Sequence, residues 1–214
     1  MSLFTLLLGG ELARTPRLDA QIAGSRVIAA DSGMRHALAL GLTPELWVGD
    51  FDSVPPALAE RFPDVPRQAF PAEKDKTDGE LAVQQAIELG ATRLILAGAF
   101  GGPRADHAFL HLAQAVVLAE AGIAVLLTSG AQEGLPLLPG RMELDHPDGT
   151  LFSVVGFTPL AGLSLSGVKW PLEGVDLPFG SSLTISNVVR GRAAATLASG
   201  RALVIAHPYP GEDF

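Results

Sequence analysis

The chain has 214 residues, 48% of them hydrophobic, with 15 Lys plus Arg against 23 Asp plus Glu and a formal net charge of -8. That is enough apolar content for one large core or two modest ones, which excludes a disordered chain, and an acidic balance with no basic cluster argues against nonspecific nucleic-acid binding. Cysteine is absent, which excludes disulfides and thiolate metal sites and fits a reducing cytoplasm, the expected location.

In chain order, the apolar run Leu3 to Leu8 is short, lacks a basic leader and leads into Gly9-Gly10-Glu11. It reads as a first strand and not as a signal peptide. Further strands are expected at Arg26 to Ala30, Leu46 to Val48, Arg67 to Phe70, Arg93 to Ala97 and Ala124 to Thr128. Helical patterns fall between them, at Met34 to Leu40, Pro56 to Arg61, Asp78 to Leu89 and Asp106 to Ala121. The third of these carries Ala82, Val83, Ala86 and Ile87 on one face and Glu80, Gln84, Gln85 and Glu88 opposite. This alternation predicts an α/β domain whose mostly parallel sheet is flanked by helices. The long apolar tract Ala108 to Leu127 is interrupted by His111, Gln114 and Glu120, so no membrane span is expected and the protein is read as soluble.

Beyond Gly130 the helical period fades and Gly, Pro and Ser become frequent. Short β-prone runs at Thr150 to Phe157, Leu163 to Val168, Ala193 to Leu197 and Ala202 to Ala206 predict an all-β sandwich or small barrel. The boundary is expected between Gly130 and Gly140, giving domains 1–132 and 133–214.

Four polar clusters stand out: "ADSG" at Ala30 to Gly33, "GDFDS" at Gly49 to Ser53, "DKTDGE" at Asp75 to Glu80 and "GAFGGPRADH" at Gly98 to His107. Three of them follow predicted strands, where open α/β sheets bind ligands. Each also has a plain structural reading. "ADSG" suits a helix-capping turn. In "GDFDS", an extended backbone would put Asp50 and Asp52 on one face, a repulsion that a hard cation such as Mg²⁺ relieves, while Phe51 turns inward; the alternative is a solvated acidic turn. "DKTDGE" combines a capping box between Thr77 and Glu80 with candidate ligands Asp75 and Asp78 and a candidate phosphate contact in Lys76. The last cluster offers glycines, Gly101 and Gly102 among them, that let backbone approach a ligand, and Arg104, whose fork suits phosphate oxygens. The five histidines show no metal-ligand spacing, and neither a Ser-His-Asp arrangement nor a P-loop is present.

Taken in order, "ADSG", "GDFDS", "DKTD", "GGPRADH", "SGVKWPL" at Ser166 to Leu172 and "TISN" at Thr184 to Asn187 resemble the thiamine pyrophosphokinase family over most of the chain. The resemblance implies an α/β N-terminal domain that binds ATP and Mg²⁺, a β-sandwich C-terminal domain that binds thiamine, and a homodimer with sites shared between subunits. It implies transfer of pyrophosphate from ATP to thiamine with release of AMP. Asp50, Asp52 and Asp78 then correspond to the magnesium and catalytic carboxylates. Asp31, Lys76, Thr77, Gly101, Gly102, Arg104 and Asp106 fall on the nucleotide side, and Trp170, Ser186 and Asn187 on the thiamine side. Read without the family, Trp170 would plug the sandwich core and "TISN" would be a strand leading into a turn. The chain departs from the family pattern at Pro103, inserted before Arg104, at His111, where asparagine is frequent, and at Ser32, where glycine is common. The competing readings are a diphosphokinase for another small alcohol such as a pterin, a metal-dependent phosphohydrolase, and a nonenzymatic thiamine or nucleotide sensor.

Overall fold

Continuous apolar runs become parallel strands buried on both faces, as expected when helices cover a sheet. The computed structural model describes residues 2–52, 54–71 and 75–209. It divides into two units: the residues up to His111 with Gly122–Gly130, and Leu112–Ala121 with the residues from Ala131 onward.

The elements run, in chain order, β1 (Leu3–Leu7), α1 (Pro16–Ile22), β2 (Arg26–Ala30), α2 (Arg35–Leu40), β3 (Leu46–Gly49), α3 (Pro56–Arg61), β4 (Arg67–Ala69), α4 (Asp78–Glu88), β5 (Arg93–Ala97), α5 (Ala105–Glu120) and β6 (Ala124–Thr128). A 3-10 turn over Asp31–Met34 precedes α2. Strand pairing gives the order β6-β5-β1-β2-β3-β4, all parallel. Alternate residues Leu7, Val27, Ala29, Trp47, Ile95 and Ala97 bury one face against Leu18, Ile22, Ala37 and Leu40 of α1 and α2. Helix α4 packs on β1, β2 and β3. The predicted strands and helices of this unit are all present with small shifts at their ends. Helix α1 was missed because only Leu18 and Ile22 of its seven residues are buried, too few to show a period, although Thr15 caps it and Pro16 opens it.

The second unit holds β7 (Glu133–Leu137), β8 (Gly140–Leu144), β9 (Leu151–Gly156), β10 (Leu160–Val168), β11 (Leu172–Leu177), β12 (Asn187–Leu197) and β13 (Ala202–His207). Its pairings are all antiparallel: β7 with β13, β13 with β9, β9 with the start of β12, then β12 with β8 and β10, and β10 with β11. Strand β12 thus passes from one sheet to the other, which is how a sandwich turns its corner. A register shift between Ser166 and Val168 marks a bulge, and it needs Gly167: at φ +66, a Cβ there would lie 2.0 Å from the Arg192 carbonyl oxygen. Strands β7, β8 and β11 were not expected. Pro136 and Gly134 weaken the pattern of β7, and β8 and β11 each bury only one residue, so no buried alternation marks them.

Candidate active site

Strand β1 lies between β2 and β5 in the sheet, and the chain leaves it first toward β2 and returns later as β5. Such a switch in direction opens a crevice at the strand carboxyl ends. A cavity of about 410 Å³ lies there, lined by Leu8 to Gly10 after β1, Ala30 to Ser32 after β2, Asp78 and Gly79 of α4, Gly98 and Gly101 after β5, and Pro103, Arg104, His107 and His111. That volume lies in the range of small-molecule sites.

Main-chain hydrogen bonds join two of the loops that line it. Past the strand ends, Leu8, Gly10 and Glu11 donate N–H groups to the carbonyls of Ala97, Gly98 and Phe100 at 2.7, 2.9 and 2.8 Å, which zips the two loops together. Gly10 makes the approach possible, because a Cβ would stand 2.4 Å from both the Gly98 and Phe100 oxygens. The Arg35 guanidinium donates to the carbonyls of Gly9 and Gly10 at 2.6 and 2.9 Å and to Ser32 at 3.3 Å, and His36 Nε2 meets Gly10 O at 3.0 Å. Sequence reasoning missed the Gly9-Gly10 loop, Arg35 and His36. The signal available was Arg35 and His36, one residue beyond "ADSG".

Among the described residues, three non-glycine residues have positive φ: Asp31 at 43°, Phe51 at 63° and Ser186 at 64°. Each belongs to a motif singled out from the sequence, and strained backbone of this kind collects at functional sites. Trp47 touches two of them: its buried indole N–H donates to the Asp31 carbonyl at 2.9 Å, and the Phe51 ring meets it edge-on at 5.2 Å. Phe51 therefore faces inward, as expected. The extended backbone assumed for Asp50 and Asp52 is corrected: β3 ends at Gly49, Phe51 is left-handed, and the Asp52 N–H donates to Asp50 Oδ1 at 3.1 Å. The pair sits in a tight turn closed by its own carboxylate and not on a strand face. Ser53 lies outside the described residues.

Of the expected nucleotide-side and catalytic residues, Asp31, Asp78, Gly101 and Arg104 line the cavity, whereas Asp50, Asp52, Lys76, Thr77, Gly102 and Asp106 stand outside its lining. Thr77 and Glu80 complete the capping box: Glu80 N–H donates to Thr77 Oγ1 at 3.2 Å and Thr77 N–H to Glu80 Oε2 at 2.9 Å. Lys76 reaches Gln84 Oε1 at 2.8 Å. Gly102 packs beside Gly10, with its Cβ direction 3.3 Å from the Gly10 Cα. Arg104 forms a two-pronged pair with Asp106 at 3.0 and 2.7 Å, both side chains mostly exposed, and this pairing holds the Asp106 carboxyl well below its usual range. His36 and His111 are pushed down chiefly by burial, so both are neutral imidazoles near neutral pH. His111 sits under the start of α4, its Nε2 3.1 Å from where a Gly79 Cβ would be.

In the second unit, Trp170 is 52% exposed and absent from the sandwich core, which rules out the core plug. Its main chain is clamped: Trp170 N–H donates to Asn187 Oδ1 at 3.1 Å, and Asn187 Nδ2 donates to Trp170 O at 2.8 Å. Asn187 Oδ1 also receives the Val188 N–H at 2.8 Å. Asn187 is buried, so its amide positions the tryptophan. Ser186 donates its N–H to Ser153 Oγ at 3.0 Å within an exposed turn.

A cavity at the strand-end switch of an open parallel sheet, edged by carboxylates and an arginine, is where α/β proteins of the open-sheet class bind their ligands. Comparison with known proteins narrows the class. The family described as "Thiamin pyrophosphokinase, catalytic domain" matches residues 22–127, and "Thiamin pyrophosphokinase, vitamin B1 binding domain" matches residues 141–204. A thiamine pyrophosphokinase of Bacillus subtilis is 28% identical over 185 residues, covering 83% of this chain and 85% of the relative. The crystal structure of a Bacillus subtilis thiamine pyrophosphokinase superposes with a TM-score of 0.83 at 26% identity, over 96% of this chain and 99% of that one. That of a Geobacillus thermodenitrificans thiamin pyrophosphokinase gives 0.78 at 27%, over 100% and 99%. The chain belongs to the thiamin pyrophosphokinase family, and it is an enzyme, a transferase of the kinase type.

Proposed function

We propose that this chain transfers the pyrophosphoryl group of ATP to the primary hydroxyl of thiamine, giving thiamine diphosphate and AMP. The observation that carries the reading is the order of both family domains along one chain, residues 22–127 and 141–204; Asp31, Asp78, Gly101 and Arg104 at the strand-end cavity support it. A pterin diphosphokinase, a phosphohydrolase and a nonenzymatic sensor each leave the second match unexplained or predict lost carboxylates. Asp31, Asp50, Asp52 and Asp78 are all present.

Hydroxyl attack on the β-phosphorus in line with departing AMP needs positioning and charge neutralisation more than covalent chemistry. The zipped Gly9-Gly10 and Gly98 to Gly102 loops hold the phosphates, and Arg104 exchanges Asp106 for a phosphate oxygen as charge develops there. Among the described residues, no three Asp, Glu or His side chains are close enough to hold a metal ion by themselves. An all-carboxylate set that needs substrate phosphate to complete it suits a cation that keeps water and takes one or two carboxylates. Asp50, Asp52 and Asp78 are the carboxylates that would hold Mg²⁺ with the help of substrate phosphate, and the ion would supply charge neutralisation there.

Trp170 is the proposed platform for the thiamine ring, with Ser186 beside it and Asn187 fixing it from behind. The division into an ATP-binding domain, 1–132, and a thiamine-binding domain, 133–214, belongs to the same reading. So does a homodimer that completes each site from two subunits, for which exposed Trp170, Phe179, Leu183 and Ile185 supply apolar surface. No helix among the described residues is long and apolar enough to cross a membrane, and we place the enzyme in the cytoplasm. The test is to incubate the protein with ATP, Mg²⁺ and thiamine and to identify the nucleotide released. AMP formed in step with thiamine diphosphate is expected; ADP, free phosphate or no thiamine-dependent product would sink the proposal.

A further inference from the structure

The exposed indole of Trp170 already carries a cation. Lys169 Nζ lies 4.2 Å from the Trp170 ring centroid, and among the described residues this ammonium has no acidic partner. The main chain beneath is fixed: Lys169 N–H donates to Val188 O at 2.8 Å, and Asn187 clamps Trp170 on both its N–H and its carbonyl. With the backbone held, the lysine stem has freedom to leave the ring while the ring stays in place.

We infer that Lys169 is a specificity-determining residue, an internal cation that occupies the Trp170 face and must be displaced when a planar cationic substrate stacks there. The inference rests on the reading of Trp170 as the thiamine platform. The thiazolium ring of thiamine bears a permanent positive charge. It competes with the ammonium for the same negative face of the indole, and the two cations repel each other if both remain. Lys169 therefore weakens thiamine binding, and it keeps the exposed ring covered when no substrate is present.

A cation on an exposed ring is worth about two- to fivefold in binding. Lys169→Met, which keeps the stem and removes the charge, is expected to lower KM for thiamine by about that factor with the effect confined to KM; Lys169→Arg, which keeps the charge, should not lower it. Trp170→Ala should raise KM for thiamine, and adding Lys169→Met to Trp170→Ala should bring no further fall. An unchanged or raised KM in Lys169→Met, or a loss of kcat, overturns the inference, because a lysine that contacts substrate phosphate would behave that way. If Trp170→Ala leaves KM unchanged, the platform reading itself fails. If Trp170→Ala raises KM while Lys169→Met does not lower it, only the competition fails.

Discussion

The cavity of the first unit and the exposed tryptophan of the second are built by opposite means. Around the cavity of the first unit, main chain does the shaping: loops after β1 and β5 are bonded to each other through N–H and carbonyl groups, and Arg35 ties down the carbonyls that remain. At Trp170 one buried side chain, Asn187, shapes the main chain. A backbone wall tolerates few substitutions but leaves its edge side chains, such as Arg104, able to change partners. A single amide clamp concentrates the whole geometry in one residue. Changes in the first unit should therefore act on ATP and on turnover, and changes in the second on thiamine alone.

The largest effect expected is in the first unit. Asp78→Asn or Asp52→Asn should lower kcat by roughly 100-fold or more with the fold intact, checked by steady-state rates alongside circular dichroism. Wild-type turnover in either would remove that carboxylate from the catalytic set. In the second unit, Asn187→Leu deprives Trp170 of both main-chain partners. We expect KM for thiamine to rise by about tenfold and KM for ATP to stay, with about 1–2 kcal/mol lost in denaturant unfolding. A matching rise in KM for ATP would break the proposed separation.

A smaller effect is expected from Asp106→Asn, which releases Arg104 from its carboxylate. KM for ATP should fall by a few-fold, since the competing partner has lost its charge. Last comes pH. His36 and His111 are held below their ordinary value of 6.5 chiefly by burial. Above that value both the folded and unfolded forms are neutral and stability is unaffected. As pH falls through it, the unfolded chain takes up protons that the folded one refuses, and stability is lost. Tm should therefore drop as pH falls through and below about 6.5, and His111→Asn should reduce the drop.

The parallel sheet was legible in the sequence because strands buried on both faces read as unbroken apolar runs, and Arg26–Ala30 and Arg93–Ala97 appear with the bounds expected. The sandwich was legible as a class but not strand by strand, since β8 and β11 each bury a single residue and leave no alternation to read. Motif residues were found where a charge or a glycine signalled them. What a side chain does there was less visible. Thr77 spends its hydroxyl on a cap, Asn187 spends its amide on a neighbour's backbone, and the left-handed turn at Phe51 hides behind an ordinary aromatic residue. Arg35 was overlooked because its partners are carbonyl oxygens, which every sequence position has and none advertises.

Trp47 lies fully buried in β3, bonded to one strained motif and packed on another, while the chain's other tryptophan, Trp170, is half in solvent. The pair makes the molecule its own two-colour probe. Emission from a dry indole lies to the blue of emission from a wet one, so a ligand arriving at the acidic turn and a ligand arriving at the exposed ring would write to different ends of the same fluorescence spectrum.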